Sequence, residues 1–265
     1  MPTGHNTEIR TDIPHSARIW NYWMGGMDNY DIDRQVGDAS MQIDPGISTM
    51  ATESRRFLIR AVSHLAREVG IRQFLDIGTG LPTMQNTHQV AQSIHPDARI
   101  VYVDNDPLVL THARALLTTT THEGVTTYTE CDFHEPEQII ADAQNILNFT
   151  EPIVVMFMGV LGHARSHDDV LRIVRTVMDA APSGSHLVHW DGTVDSPSYV
   201  AMCEEYAKSG GVPYIPRTQD DLRAVFDGFE LLEPGFGKIA SWRRDEPQPD
   251  GVEDISAYGG VARKP

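Results

Sequence analysis

The sequence predicts an α/β fold: a mostly parallel sheet with helices on both faces. Three observations carry this. From about residue 52 onward, short apolar segments alternate with amphipathic helical ones. The segment Ile153 to Met158 is apolar on both alternating faces, as a strand covered on both sides must be. One apolar strand, Gln73 to Ile77, runs directly into a glycine turn.

In chain order, a helix is expected from Thr52 to Val69, with Phe57, Ala61, Val62, Leu65, Ala66 and Val69 on one stripe and Gly70 as its stop. Strand one follows at Gln73 to Ile77, then a helix over Pro82 to Ile94. Strand two is Arg99 to Val103, and Asp106 caps a helix opened by Pro107, whose fixed φ suits the first helical position. Strand three is Val125 to Glu130, and strand four is Ile153 to Met158. Ser166 and Asp169 form a capping box for a helix to Ala181, and Pro182-Ser183-Gly184 turns into strand five, His186 to Trp190. Helices near Ser196 to Lys208 and Thr218 to Phe226 precede two closing strands, Phe229 to Leu232 and Tyr258 to Arg263, separated by a loop from Asp245 to Gly251. With 265 residues and 40% hydrophobic content, the chain suits one domain. It divides into a helical extension or lid over residues 1–50 and a core over 51–265.

Composition narrows the function. A formal charge of −16 without a basic run argues against nucleic acid. The longest apolar run, Ile153 to Gly162, is too short to span a membrane, and the N-terminus lacks a signal-like stretch, so a cytoplasmic protein is expected. Cys131 and Cys203 lack the spacing of a zinc site. His163 and His167 are four apart, but Ser166 marks a helix start between them, so no metal is expected.

The chemistry concentrates at Asp76-Ile77-Gly78-Thr79-Gly80. Glycines let backbone approach a ligand closely, and a following helix offers free N–H groups. The dinucleotide fingerprint has a third glycine where Thr83 stands, and it rarely has an acid at Asp76. A carboxylate there repels pyrophosphate but suits the ammonium of an amino-acid moiety, such as the methionine part of S-adenosylmethionine. Strand two ends in Asp104-Asn105, placed to accept hydrogen bonds from both ribose hydroxyls. Asp132 after strand three is placed for an adenine amino group, with Phe133 bordering the ring. Met158 and Gly159, at the end of strand four, complete the expected cofactor side.

These residues carry a resemblance. The stretches Ala17 to Tyr30, Gly70 to Thr83, Val101 to Pro107 and Phe229 to Gly235 are similar to an actinobacterial family of S-adenosyl methyltransferases marked by an N-terminal aromatic-Gly-Gly-x-Asp-Asn segment. The resemblance implies a Rossmann-like class I core with a seven-stranded sheet, S-adenosylmethionine as cofactor and S-adenosylhomocysteine as product. It leaves the acceptor open. The chain departs from the family pattern at Met27, where Lys is usual, and at Gly162-His163-Ala164-Arg165, so no acceptor role is carried over there.

Trp20, Tyr22, Trp23, Asp28, Asn29 and Tyr30 are the candidates for a hinged flap on the acceptor side; the alternative is a core-facing stripe of Trp20, Trp23, Met24 and Met27 at helical spacing. Methyl transfer is an in-line displacement, so a base is needed only if the acceptor must lose a proton. Candidates are His163 and Asp191, with His189 expected inside a strand. No Asn/Asp-Pro-Pro-aromatic motif follows strand four, which favours a small-molecule acceptor. The rival readings are a non-catalytic S-adenosylmethionine-binding or regulatory protein and a nicotinamide-dependent oxidoreductase.

Overall fold

A computed structural model describes residues 9–82, 85–109, 111, 120–244 and 255–265. Helices α1 (Ser16–Trp23) and α2 (Asp31–Ile43) come first. The buried Asp33 carboxylate joins them, accepting from the His15 N–H (3.0 Å) before α1 and from the Tyr30 N–H (2.9 Å) before α2. Helix α3 runs Ile47–Arg67, starting five residues earlier than expected. Thr52 is no cap: its hydroxyl donates back to the Ser48 carbonyl, and Ile47, Met50 and Ala51 prolong the buried stripe. Val69 lies past the helix end and is exposed.

Among the described residues eight strands follow, not the seven that the resemblance implied. They are β1 (Gln73–Ile77), β2 (Arg99–Asp104), β3 (Val125–Glu130), β4 (Val154–Met158), β5 (His186–Gly192), β6 (Glu230–Leu231), β7 (Gly237–Lys238) and β8 (Ala257–Arg263). Their order is β3-β2-β1-β4-β5-β8-β6, with β7 also paired to β8. β1 to β5 are mutually parallel, while β8 runs antiparallel to β5. The additional strand, β7, has two residues and therefore no readable period.

Helices α4 (Thr87–Ile94), α5 (Pro136–Ala143), α6 (His167–Ala180), α7 (Pro197–Tyr206) and α8 (Gln219–Ala224) complete the fold. α6 starts as expected, with the Ser166 hydroxyl accepting from the Asp169 N–H. α4 begins at Thr87 rather than Pro82, so the glycine turn does not open directly into a helix. Thr83 and the loop 245–251 lie outside the described residues, and only the first turn of the helix opened by Pro107, residues 107–109, and residue 111 are described there.

Side-chain alternation divides the core into two layers. Phe74, Met156 and Val188 face α3 and α4 together with Phe57 and Leu65. Leu75, Val155 and Leu187 face α5 and α6 together with Ile139, Ile173 and Val177. With both faces of the sheet covered, the ends of its strands are what remains available for a site.

Candidate active site

A cavity of about 260 Å³ opens beyond the carboxyl ends of the parallel strands. Asp76, Gly78, Thr79, Gly80, Asp104, Asn105, Asp132, Phe133, Met158 and Gly159, every cofactor-side candidate, line it.

The glycine turn is built for close approach. Gly78 and Gly80 have φ of +72° and +65°. A Cβ on Gly78 would sit 2.4 Å from the Val160 side chain. The Gly78 and Thr79 N–H groups donate to the Val103 carbonyl (2.8 and 3.2 Å), which ties the turn to β2.

Asp76 is buried, and its Oδ2 accepts from the Thr87 hydroxyl at 2.6 Å. Its Oδ1 is buried without a hydrogen-bond partner among the described residues. Burial, with the Asp104 charge adding to it, pushes this carboxyl up to about 6 against the opposing pull of the Thr87 hydroxyl, the Arg55 guanidinium and, most weakly, the Thr79 hydroxyl. Asp104 accepts from the Gly80 N–H (2.8 Å) through Oδ2 and from the Asp106 N–H (3.0 Å) through Oδ1. A carboxylate has about four acceptor sites, so two backbone bonds leave capacity for a pair of ligand hydroxyls. Burial raises this carboxyl as well.

Asp132 is held from its own loop. Its Oδ1 receives the His134 N–H (2.9 Å) and the His134 ring nitrogen Nδ1 (2.7 Å), and Oδ2 receives Asn105 Nδ2 (3.3 Å). Partial burial raises the Asp132 carboxyl, but the bonds from His134 outweigh it and hold it below the usual range. The Phe133 and His134 rings lie with centroids 4.1 Å apart.

Of the flap candidates, only Trp20 lines the cavity. Its indole meets Trp23 and Trp190 edge-on, with centroids 5.6 and 5.8 Å away, so it packs on the core as well as lining the cavity, whereas Met27, past the end of α1, is exposed and takes no part in a core-facing stripe. The others bind within the extension. The Tyr22 hydroxyl donates to Asp38, Trp23 Nε1 donates to the Gly37 carbonyl, and the Asn29 amide donates to Asn21 and to the Gly26 carbonyl. The Asp28 N–H donates to the Asn21 side chain, and Tyr30 lies under the Arg18 guanidinium.

The base candidates separate. His163 lines the cavity. Asp191 does not; its Oδ1 accepts from the Tyr214 hydroxyl (2.7 Å) and the Gly162 N–H (3.2 Å), and burial pushes it up to about 7. His189 is fully buried, with Nδ1 3.3 Å from the Phe157 carbonyl, and burial lowers it to about 4.

Several lining residues had not been singled out: Ile13 to Ser16, Arg55, His134, Trp190, Tyr206 and Gly210 to Val212. Arg55 carried a readable signal. It shares a helix face with Ala51, Leu58 and Val62, and a cation on a core-facing stripe is an anomaly. The loop 210–212 carried none, because only tertiary packing brings it to the cavity.

Among the described residues no helix is long and apolar enough to cross a membrane, and no group of three His, Cys, Asp or Glu is placed to hold a metal.

A family model described as S-adenosyl methyltransferase matches residues 2–265. A DUF574 family protein from Streptomyces avermitilis is 42% identical, with a TM-score of 0.92, covering 97% of this chain and 100% of its own. A candidate methyltransferase from Thermobifida fusca is 38% identical, with a TM-score of 0.88 and 97% coverage of both chains. No curated protein matches. The family match extends across nearly the whole chain: the chain belongs to the S-adenosyl methyltransferase family, and is an enzyme that transfers a methyl group with S-adenosylmethionine as its cofactor.

Proposed function

We propose that the cavity takes S-adenosylmethionine through Asp76, the 78–80 turn, Asp104 and Asp132, and passes its methyl group to a small-molecule acceptor. One observation carries the cofactor assignment: Asp76 Oδ1 is a buried acceptor without a partner, on the wall of a cavity that also holds Arg55. A buried polar atom left unpaired costs about 1–3 kcal/mol, which a ligand ammonium removes. Arg55 is nearly buried with its charge toward Asp76. Together the two match the zwitterion of the methionine moiety, the carboxylate going to Arg55. Asp104 takes the ribose hydroxyls, and Asp132 with Phe133 takes adenine.

When bound, the cofactor supplies a methyl group on a sulfonium, already activated for displacement. The chain's own part is to hold and orient the donor and exclude water. Residues 13–24 of the extension close one side of the cavity, which gives the N-terminal 50 residues a covering role over the core.

The acceptor class is tested by incubating the protein with methyl-labelled S-adenosylmethionine and a size-fractionated cell extract. Label is expected in the low-mass fraction. Label confined to protein or nucleic acid contradicts the small-molecule reading.

A further inference from the structure

Resting on that assignment of the cofactor side, the geometry points to His163 as the catalytic base for a neutral, flat acceptor whose reacting group is a phenol-type hydroxyl. Nδ1 of His163 lies 3.0 Å from the Pro213 carbonyl oxygen. A carbonyl oxygen only accepts, so Nδ1 carries the proton and Nε2 is left as the basic nitrogen.

The loop that presents this ring is fixed from two sides. Gly162 N–H donates to Asp191, the Ile215 N–H donates to the Gly162 carbonyl at 2.7 Å, and Arg217 donates to the Leu161 (3.0 Å) and Ala164 (2.7 Å) carbonyls. The ring packs edge-on against Tyr214, with centroids 5.2 Å apart. Asp191, Tyr214 and Arg217 are therefore positioning residues. Burial lowers His163, with His15 and His134 across the cavity adding to this and the Pro213 and Val212 carbonyls opposing it; the net shift is downward, so the imidazole is mostly neutral at pH 7 and can accept a proton.

The acceptor's class follows from the walls around it. Trp20, Trp190 and Tyr206 offer aromatic surface, and a second cavity of about 30 Å³ adjoins along Trp20, His163 and Tyr206. With Asp76, Asp104 and Asp132 committed to the cofactor, no other described carboxylate lines the cavity to receive an ammonium. Alkyl amines are protonated at pH 7, whereas a phenol is neutral and acidic enough for an imidazole to deprotonate as its oxygen reacts. The acceptor oxygen bonds the methyl carbon, the carbon–sulfur bond breaks with its electron pair going to sulfur, and the hydroxyl proton passes to His163 Nε2 and then to water.

The test combines turnover with nitrogen NMR. The probes are 2-naphthol and 7-hydroxycoumarin, with tryptamine and 2-naphthoate as amine and carboxylate counterparts. The phenols are expected to yield S-adenosylhomocysteine, and H163N to lower kcat about 100-fold or more with S-adenosylhomocysteine affinity unchanged. The loss should shrink for pentafluorophenol, which arrives almost wholly ionised at pH 7, an effect that a merely structural role would not give. In the S-adenosylhomocysteine complex at pH 7, His163 should show a protonated Nδ1 and a bare Nε2. Preference for the amine or carboxylate, no product from any phenol, wild-type rates in H163N, or a protonated Nε2 overturns the inference. Calorimetry with S-adenosylhomocysteine keeps the two levels apart: absent binding removes the cofactor assignment, whereas binding without phenol turnover removes only the acceptor class.

Discussion

Asp76 and Arg55 set the residue-scale behaviour of the site. With Asp76 raised to about 6, the folded protein holds a proton that the unfolded chain has already lost. The unliganded protein therefore loses stability as pH rises from about 4 to 6. A ligand ammonium needs the ionised carboxylate, so its binding releases that proton. Affinity for S-adenosylhomocysteine should rise about tenfold between pH 5 and pH 7, following the ionised fraction of a group near 6. Burial of Asp104 acts in the same direction. Asp76→Asn should flatten the dependence, and titrations at several pH values check it. For Arg55→Gln, affinity for S-adenosylhomocysteine should fall about 10- to 150-fold, the worth of a charged hydrogen bond. Affinity for 5′-methylthioadenosine, which lacks the amino-acid moiety, should not change; an equal loss for both ligands would show a structural effect. The acids were legible because each lies at or just beyond the carboxyl end of a strand readable from its apolar pattern. Arg55 was legible as a cation among apolar positions of one helix face, but its nearness to Asp76 was not, because only the packing of α3 against β1 brings the two together.

At the scale of elements, the loop from Leu161 to Ser166 depends on a residue some fifty positions away. Arg217 is buried and donates to carbonyls of Leu161, Ala164, Ile215 and Ser166. Arg217→Ala leaves several buried acceptors unpaired and should cost about 3 kcal/mol, read as a lower denaturation midpoint. Lys should not restore it, since a single ammonium cannot fork to carbonyls on separate segments. Elements with strong periodicity and a cap were legible, as α6 with Ser166 shows. The ends of α3 and α4 were not. Buried contacts carry α3 back to Ile47, past a plausible cap at Thr52, and α4 begins at Thr87, whose hydroxyl is drawn to Asp76.

Across the whole molecule, the alternation of strands and helices foretold the parallel sheet and, through it, where the cavity lies. It could not foretell β7, nor which distant loops close the cavity, because residues 13–24 and 210–212 meet the strand ends only after folding. Asp104 joins these levels: it ends β2, holds Gly80 and faces the cavity. Calorimetric titration of the wild-type protein and Asp104→Ala with S-adenosylhomocysteine tests the site most directly. One ligand per chain should bind the wild type, and the variant should bind about 30- to 700-fold more weakly, the equivalent of about 2 to 4 kcal/mol. No binding to the wild type, or equal affinity in the variant, would contradict the assignment of this cavity to the cofactor.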